Sequence, residues 1–355
     1  MSWLALRLRP LLSRRTLLAA PCLFAAPGRA ERMVADATGR RIGVPDQIRR
    51  IFPAGPPAAI LLYTLAPEML LGWPARPPRP AEAAFMLPEA ASLPEIGRLT
   101  GRDNTANIEA VLREKPDLVL DYGSVRPVFV SLMERVQAQT ALPTLLLDGA
   151  LAKIPETYRL LGAILGRQQD AEMRASTAER IIADALEAAE ALRRRGRPRV
   201  LYVRGPRGLE TGVAGSINTE IIEFAGAENV AASALGAGSL VQISMEQVFA
   251  WNPDWIIAIH PEFLTTIRTD RLWSAVPAVR AGRVAMAPGL PFGWVDFPPA
   301  VNRLLGLMWL PVLFGLRRPD GLAVSVADFH ALFYHRRPEP SQIEALLRPA
   351  MPLPA

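Results

Sequence analysis

The sequence is poor in the residues that mark the commonest kinds of site. Its one cysteine is Cys22, it has three histidines, and Lys115 and Lys153 are its only lysines. Past residue 30 there is no thiol, which excludes a disulfide, a thiolate ligand or an iron–sulfur cluster there. His260, His330 and His335 show no H-x-x-x-H spacing, so no closed site for a bare zinc ion is written in the chain. Neither G-x-G-x-x-G nor G-x-x-x-x-G-K-[ST] occurs, and there is no G-x-S-x-G elbow. These absences point away from an enzyme. The most apolar stretch, Leu304 to Leu316, is broken by Pro311 and falls short of the roughly 20 residues a membrane-spanning helix needs.

A basic excess is missing too, although the net charge of +6 suggests one. Residues 1–30 hold Arg7, Arg9, Arg14, Arg15 and Arg29 and no acid, which leaves +1 for the remainder. Nucleic acid is therefore not an expected partner. The same thirty residues read as an export signal. An arginine-bearing start leads to the apolar stretch Thr16 to Ala26 and to Gly28-Arg29-Ala30 as a small-x-small cleavage site. Ser13-Arg14-Arg15-Thr16-Leu17-Leu18 also resembles a twin-arginine signal. Pro21 before Cys22 spoils a lipoprotein site. A periplasmic protein is expected, without a transmembrane segment.

What the chain does have is a statement made twice, 137 residues apart. Ile108-Glu109-Ala110-Val111-Leu112 leads into Pro116-Asp117-Leu118-Val119-Leu120, and Met245-Glu246-Gln247-Val248-Phe249 leads into Pro253-Asp254-Trp255-Ile256-Ile257. Each copy is a short amphipathic helix, a Pro-Asp turn and an apolar run of strand length. The spacing is too long for a solenoid unit and suits two α/β lobes built alike, as does a length of 355 residues. Short strands alternate with helices in both halves, which predicts mostly parallel sheets covered on both faces. Between them, Gln168 to Arg195 has helical spacing with no internal Pro or Gly. It predicts one long strut. A terminal helix pair, Val326 to Tyr334 and Pro340 to Leu347, is expected to complete the second half, with His330 and His335 at its surface.

At this point the chain resembles the periplasmic substrate-binding proteins of ABC importers for iron–siderophore, haem and cobalamin. The resemblance rests on Asp36-Ala37-Thr38-Gly39-Arg40, on Asn107-Ile108-Glu109 before Lys115-Pro116-Asp117, on Ala225-Gly226-Ala227-Glu228-Asn229-Val230, on Ser244-Met245-Glu246-Gln247-Val248, and on Trp273, Ala278-Val279-Arg280 and Gly282-Arg283-Val284. Pro291-Phe292-Gly293-Trp294-Val295-Asp296-Phe297-Pro298-Pro299 with Asn302-Arg303 looks like a metal-chelate branch. The resemblance implies two Rossmann-like lobes joined by one rigid helix, with a ligand cleft between them. The expected division is a signal peptide at 1–30, a first lobe at 31–167, a linking helix at 168–196 and a second lobe at 197–355. It further implies that Glu109 and Glu246 dock on a permease, with its ATPase beyond. The alternative is physical: an acid in a helix's first turn is favoured by the helix dipole.

Ligands of open α/β sheets sit beyond the carboxyl ends of the strands. The candidates there are Gly55, Pro56, Trp73, Arg76, Tyr122, Ser124 and Asp148 in the first lobe. In the second they are Arg204, Gly205, His260, Phe292 and Trp294. Aromatic faces can stack on a planar ligand and arginines can fork onto its oxygens. His260 either completes the coordination of a chelated metal or caps a strand end. Tyr122 either ligates ferric iron or haem, or packs its ring. Arg204 either anchors a chelate or is a solvated loop residue. The expected ligand is a metal, iron first, already wrapped in an organic chelator, most readily a ferric siderophore. Haem or cobalamin are the alternatives, as is a periplasmic sensor or adaptor without transport. No cofactor of the protein's own is expected, and the protein is expected to be a monomer.

Overall fold

The computed structural model describes residues 31–100 and 107–348, so the export segment at 1–30 lies outside the described residues. The chain opens with an antiparallel hairpin, β1 (Glu31–Ala35) and β2 (Arg41–Pro45). Asp36 closes its turn. One carboxylate oxygen accepts from the Thr38 N–H at 2.9 Å, while the other takes Arg40 Nε at 3.0 Å and the Leu146 N–H at 3.3 Å. The first of the resembling motifs is thus a turn pinned to a neighbouring strand.

That neighbour belongs to a parallel sheet of β3 (Ile51–Pro53), β4 (Leu118–Gly123) and β5 (Thr144–Asp148), in the order β3-β4-β5. Around Trp73 the chain adds only two isolated bridges, Ile51 with Leu70 and Trp73 with Glu95. In the second half come β6 (Arg199–Val203), β7 (Glu210–Gly212), β8 (Glu228–Asn229), β9 (Leu240–Gln242), β10 (Trp255–Ala258) and β11 (Val284–Met286). Four of them form a parallel sheet ordered β11-β10-β6-β8, and β7 pairs antiparallel with β9. The chain is therefore an α/β protein of two lobes.

The repeat is a joint between helix and sheet. Asn107 caps the helix Ile108–Arg113 by accepting from the Ala110 N–H, and Ser244 caps Met245–Trp251 through the Gln247 N–H. Each helix runs out into a left-handed residue, Lys115 (φ 48°) or Asn252 (φ 40°). The Asp after each proline then grips the start of the adjacent strand. Asp117 Oδ2 accepts from the Arg49 and Arg50 N–H groups at 3.0 and 3.1 Å, and Asp254 Oδ2 accepts from that of Arg199 at 2.8 Å.

The strut is one helix, Gln168–Arg195, about 42 Å long at 1.5 Å per residue. It buries a stripe of small side chains, including Ala171, Ala175, Ala178, Ala185 and Ala189, which lets its neighbours approach closely. A side chain on Gly162 would strike the Ala171 methyl group, and one on Gly226 (φ 90°) would lie 2.7 Å from the Ala189 carbonyl. Leu186 lies off that stripe and is 44% exposed.

Strand periodicity decides which residues share the central core. Leu118, Leu120 and Tyr122 of β4, with Val200 and Tyr202 of β6, join one cluster that runs through both lobes. Val119 turns instead to a separate cluster of the first lobe, and Leu201 and Val203 to one of the second.

The terminal helices, Leu322–Phe333 and Pro340–Leu347, correct the sequence expectation, because the chain crosses back onto the first lobe. Tyr63 donates to the Tyr334 carbonyl at 2.7 Å, and His335 Nε2 lies 3.0 Å from the Tyr63 carbonyl. Phe333 meets Tyr158 edge-on, and His330 meets Phe85. His330 is fully buried and His335 half-buried, so neither is a surface residue.

Candidate functional site

The carboxyl end of β5 runs into the second lobe. A side chain on Gly149 would come within 3.0 Å of Ile217, and the Leu151 N–H donates to the Glu220 carboxylate at 3.1 Å. Arg303 closes this contact from the start of the helix Arg303–Leu313. Fully buried, it donates to the carbonyls of Ala300, Ile217 and Gly149 and to Glu220 Oε2 at 2.9 Å. A buried charge is tolerable only when its donors are used, and here the partners come from both lobes. Nothing in the sequence alone singled out Glu220. Arg303 did stand in the quoted segment, as the residue after Asn302.

A second polar centre lies beside it. Asp296, fully buried, accepts from Tyr202 Oη at 2.6 Å, Asn218 Nδ2 at 2.8 Å and the Phe297 N–H at 2.6 Å, and it pairs with Arg204. Arg204 also reaches Glu210 at 3.1 Å, and its guanidinium lies 5.5 Å from the centre of the Phe297 ring. Burial, together with the neighbouring Asp296 charge, pushes the Tyr202 phenol far above its ordinary value, so it stays a donor. Asp296 stood in the same quoted segment without a role of its own, and Asn218 was not singled out. A carboxylate inside an apolar loop has no periodic signal to announce it.

Of the other candidates, Gly55 precedes the helix Pro56–Leu65 and packs so tightly on Thr100 that a side chain would strike its hydroxyl. Pro56 is the half-buried first residue of that helix. Ser124 accepts from Arg126 Nε at 3.2 Å, and Asp148 accepts from the Ala150 N–H at 2.9 Å, so both serve local turns. Gly205 (φ 72°) turns the chain after β6. His260 is half-buried, with no hydrogen-bond partner for Nδ1 among the described residues.

Three aromatic candidates are in or against the core. Trp73 is 5% exposed and spends its indole N–H on the Ala90 carbonyl at 2.8 Å. Phe292 packs among Tyr63, Trp73 and Tyr334, with ring centres 5.5–6.3 Å away. Trp294 is fully buried. Tyr122, at 1% exposure, follows the inward alternation of β4 and lies beside Arg303; burial raises its phenol well above the ordinary value. Arg76 is exposed but held in a two-pronged contact with Glu82, both distances 2.7 Å. Burial works to raise Glu82, but hydrogen bonds from Arg76 and Arg79 outweigh it and bring the carboxyl down to about 2.

One buried acid shifts the other way. Asp121 accepts from Thr100 Oγ1 at 3.1 Å and the Tyr122 N–H at 3.0 Å, yet burial dominates and raises it to about 6. Among the described residues no group of three or more His, Asp or Glu side chains is arranged to hold a metal ion, and no helix is long and apolar enough to cross a membrane.

Glu109 and Glu246 are exposed in the first turns of their helices, with no ion pair among the described residues. Three residues further on, at matching positions of the repeat, Leu112 and Phe249 are 45% and 38% exposed.

Residues 88–289 match the periplasmic binding protein family. A cobalamin-binding protein of Halobacterium salinarum is 28% identical over 258 residues, covering 69% of this chain; the chain spans 61% of that relative's length. An ABC transporter solute binding protein from Sulfurospirillum deleyianum superposes with a TM-score of 0.81 at 25% identity, over 89% of this chain and 99% of that one. A periplasmic solute binding protein from Veillonella parvula gives 0.67 at 25% identity, over 90% and 97%. A molybdate periplasmic binding protein of Haemophilus influenzae, at 21% identity and 0.70 over 87% and 99%, shares the fold.

Proposed function

The chain belongs to the periplasmic binding protein family, and on that premise we propose that it captures a metal chelate between its lobes and hands it to an ABC permease. Proteins of this family deliver small-molecule ligands to such permeases and are binding proteins, not enzymes. The observation that carries the reading is the junction at the carboxyl end of β5. There Arg303, Glu220 and the Asp296 centre are already paired with protein groups, so the meeting of the lobes is set without a ligand. Ligand sites are usually largely preformed and occur preferentially where two domains meet. The metal arrives inside its chelator, so no cofactor of the protein's own is needed.

Within that class a ligand of little net charge is the better fit. Arg76 is occupied by Glu82, and Arg204 by Asp296 and Glu210. An anionic ferric siderophore would have to break those pairs. A corrinoid, the class named for the Halobacterium relative, would not. Haem held through Tyr122 is disfavoured by the burial of that phenol. In this reading Glu109 and Glu246 are the permease contacts, residues 1–30 direct export to the periplasm, and the protein works as a monomer.

Calorimetric titration of the mature protein with cyanocobalamin, hemin and a ferric catecholate tests the proposal. Binding of cyanocobalamin in preference to the other two is expected. Preference for the ferric catecholate would restore the siderophore reading, and silence towards all three would favour a sensor.

A further inference from the structure

Phe297 is the most exposed large apolar residue among those described, at 68%. Its backbone has φ 70°, a left-handed conformation that a bulky L-residue avoids and that persists only where the surroundings impose it. The imposing group is visible. Asp296, the preceding residue, is fully buried and accepts the Phe297 N–H at 2.6 Å on the oxygen that also takes Asn218 Nδ2. Its other oxygen is held by Tyr202 and Arg204. A buried carboxylate with both oxygens used thus fixes a strained residue whose ring points into solvent.

The ring's location is also defined. Asn218 directly follows Ile217, whose carbonyl accepts from Arg303 at 3.1 Å where the lobes meet, and Glu220 in the same turn receives the Leu151 N–H. The Asp296 centre therefore adjoins the joint between the lobes, and Phe297 stands beside that joint. One side of the ring is backed by Arg204, whose charge Asp296 and Glu210 together outweigh. What remains presented is a flat apolar surface, and the formal charges of Arg204, Asp296 and Glu210 behind it leave an excess of one negative charge, which does not favour an anionic ligand.

We propose that Phe297 is a ligand platform, a specificity-determining residue that stacks on the flat or apolar face of a weakly charged chelate. The proposal rests on the chelate-binding reading above. Strain held beside an exposed aromatic ring motivates a binding role, which the variants below separate from a structural one.

Three variants of the mature protein test it: F297G, F297A and F297W. Each is melted without ligand and titrated with cyanocobalamin, hemin and a ferric catecholate. F297G removes both the ring and the left-handed strain, so it should melt about 2 °C above the wild type. For whichever probe the wild type binds, F297G and F297A should bind about tenfold or more weakly, the loss typical of a central aromatic contact. F297W should retain affinity, and its fluorescence should be quenched on binding. A merely structural role would instead make F297A and F297G bind like the wild type, and that result overturns the platform while leaving the chelate reading intact. If the wild type binds none of the three probes, the chelate reading fails and the platform fails with it. Unchanged probe affinity together with lost binding to the permease would reassign Phe297 to the docking surface and also overturn the proposal.

Discussion

Arg303, in the second lobe, donates to the main-chain carbonyl of Gly149 at the end of β5 in the first, while its own carboxylate partner, Glu220, receives a first-lobe N–H. The two lobes are thus joined where they meet by a buried guanidinium. Arg303→Leu leaves several buried carbonyls unpaired and should cost about 1–3 kcal/mol for each one that finds no other donor. Glu220 is partly exposed, so Glu220→Gln should cost about 1 kcal/mol. Urea unfolding of the two variants checks the order, and equal losses would refute it.

Limited closure follows from the same joint. A single core runs through both lobes, and the strut packs through Gly162 at one end and Gly226 at the other. Solution scattering with and without ligand should give nearly the same radius of gyration. A large contraction would mean that the lobes hinge widely despite these contacts.

Reversing Glu109 and Glu246 together to Arg should abolish uptake and leave ligand affinity within about twofold, because both acids are exposed and neither is a partner of Arg303 or Asp296. Uptake assays paired with titration separate the two effects. Weakened ligand binding would move these glutamates from the docking surface to the cleft.

Acid should destabilise the protein through His330, and the sign can be worked out. Burial lowers its folded value from 6.5 to about 3. Its contribution is therefore present above pH 6.5 and is lost as pH falls towards 3. Asp121 works against this. Raised from 3.8 to about 6 by burial, it contributes most below pH 3.8, and that contribution disappears as pH rises through 6. His330→Met should flatten the decline in melting temperature between pH 6.5 and 4, and Asp121→Asn should steepen it. Melts at four pH values would show it, and identical slopes in all three proteins would exclude both residues as the source.

Features with a period were legible in the sequence. The repeat, the parallel strands and the helix from Gln168 to Arg195 each imposed spacing on their apolar residues, and each is present. The strand-end residues were less legible because a position after a strand does not say which way the chain turns. Trp73, Phe292 and Trp294 turned inward and Arg76 found Glu82. Tyr122 was decidable in principle, since it alternates with Leu118 and Leu120 on the inward face. Phe297 was not decidable, because its exposure depends on a carboxylate whose partners lie 78 to 94 residues away.

The return of the last helices onto the first lobe sets an order of events during synthesis. Tyr63 is bonded to Tyr334 and His335, 271 and 272 residues later. A growing chain that stopped before Leu322 would leave Tyr63, Phe85 and Tyr158 without the aromatic cover they have here. Contacts of such long sequence separation form late and slowly. The lobe that leaves the ribosome first is therefore the one that finishes folding last.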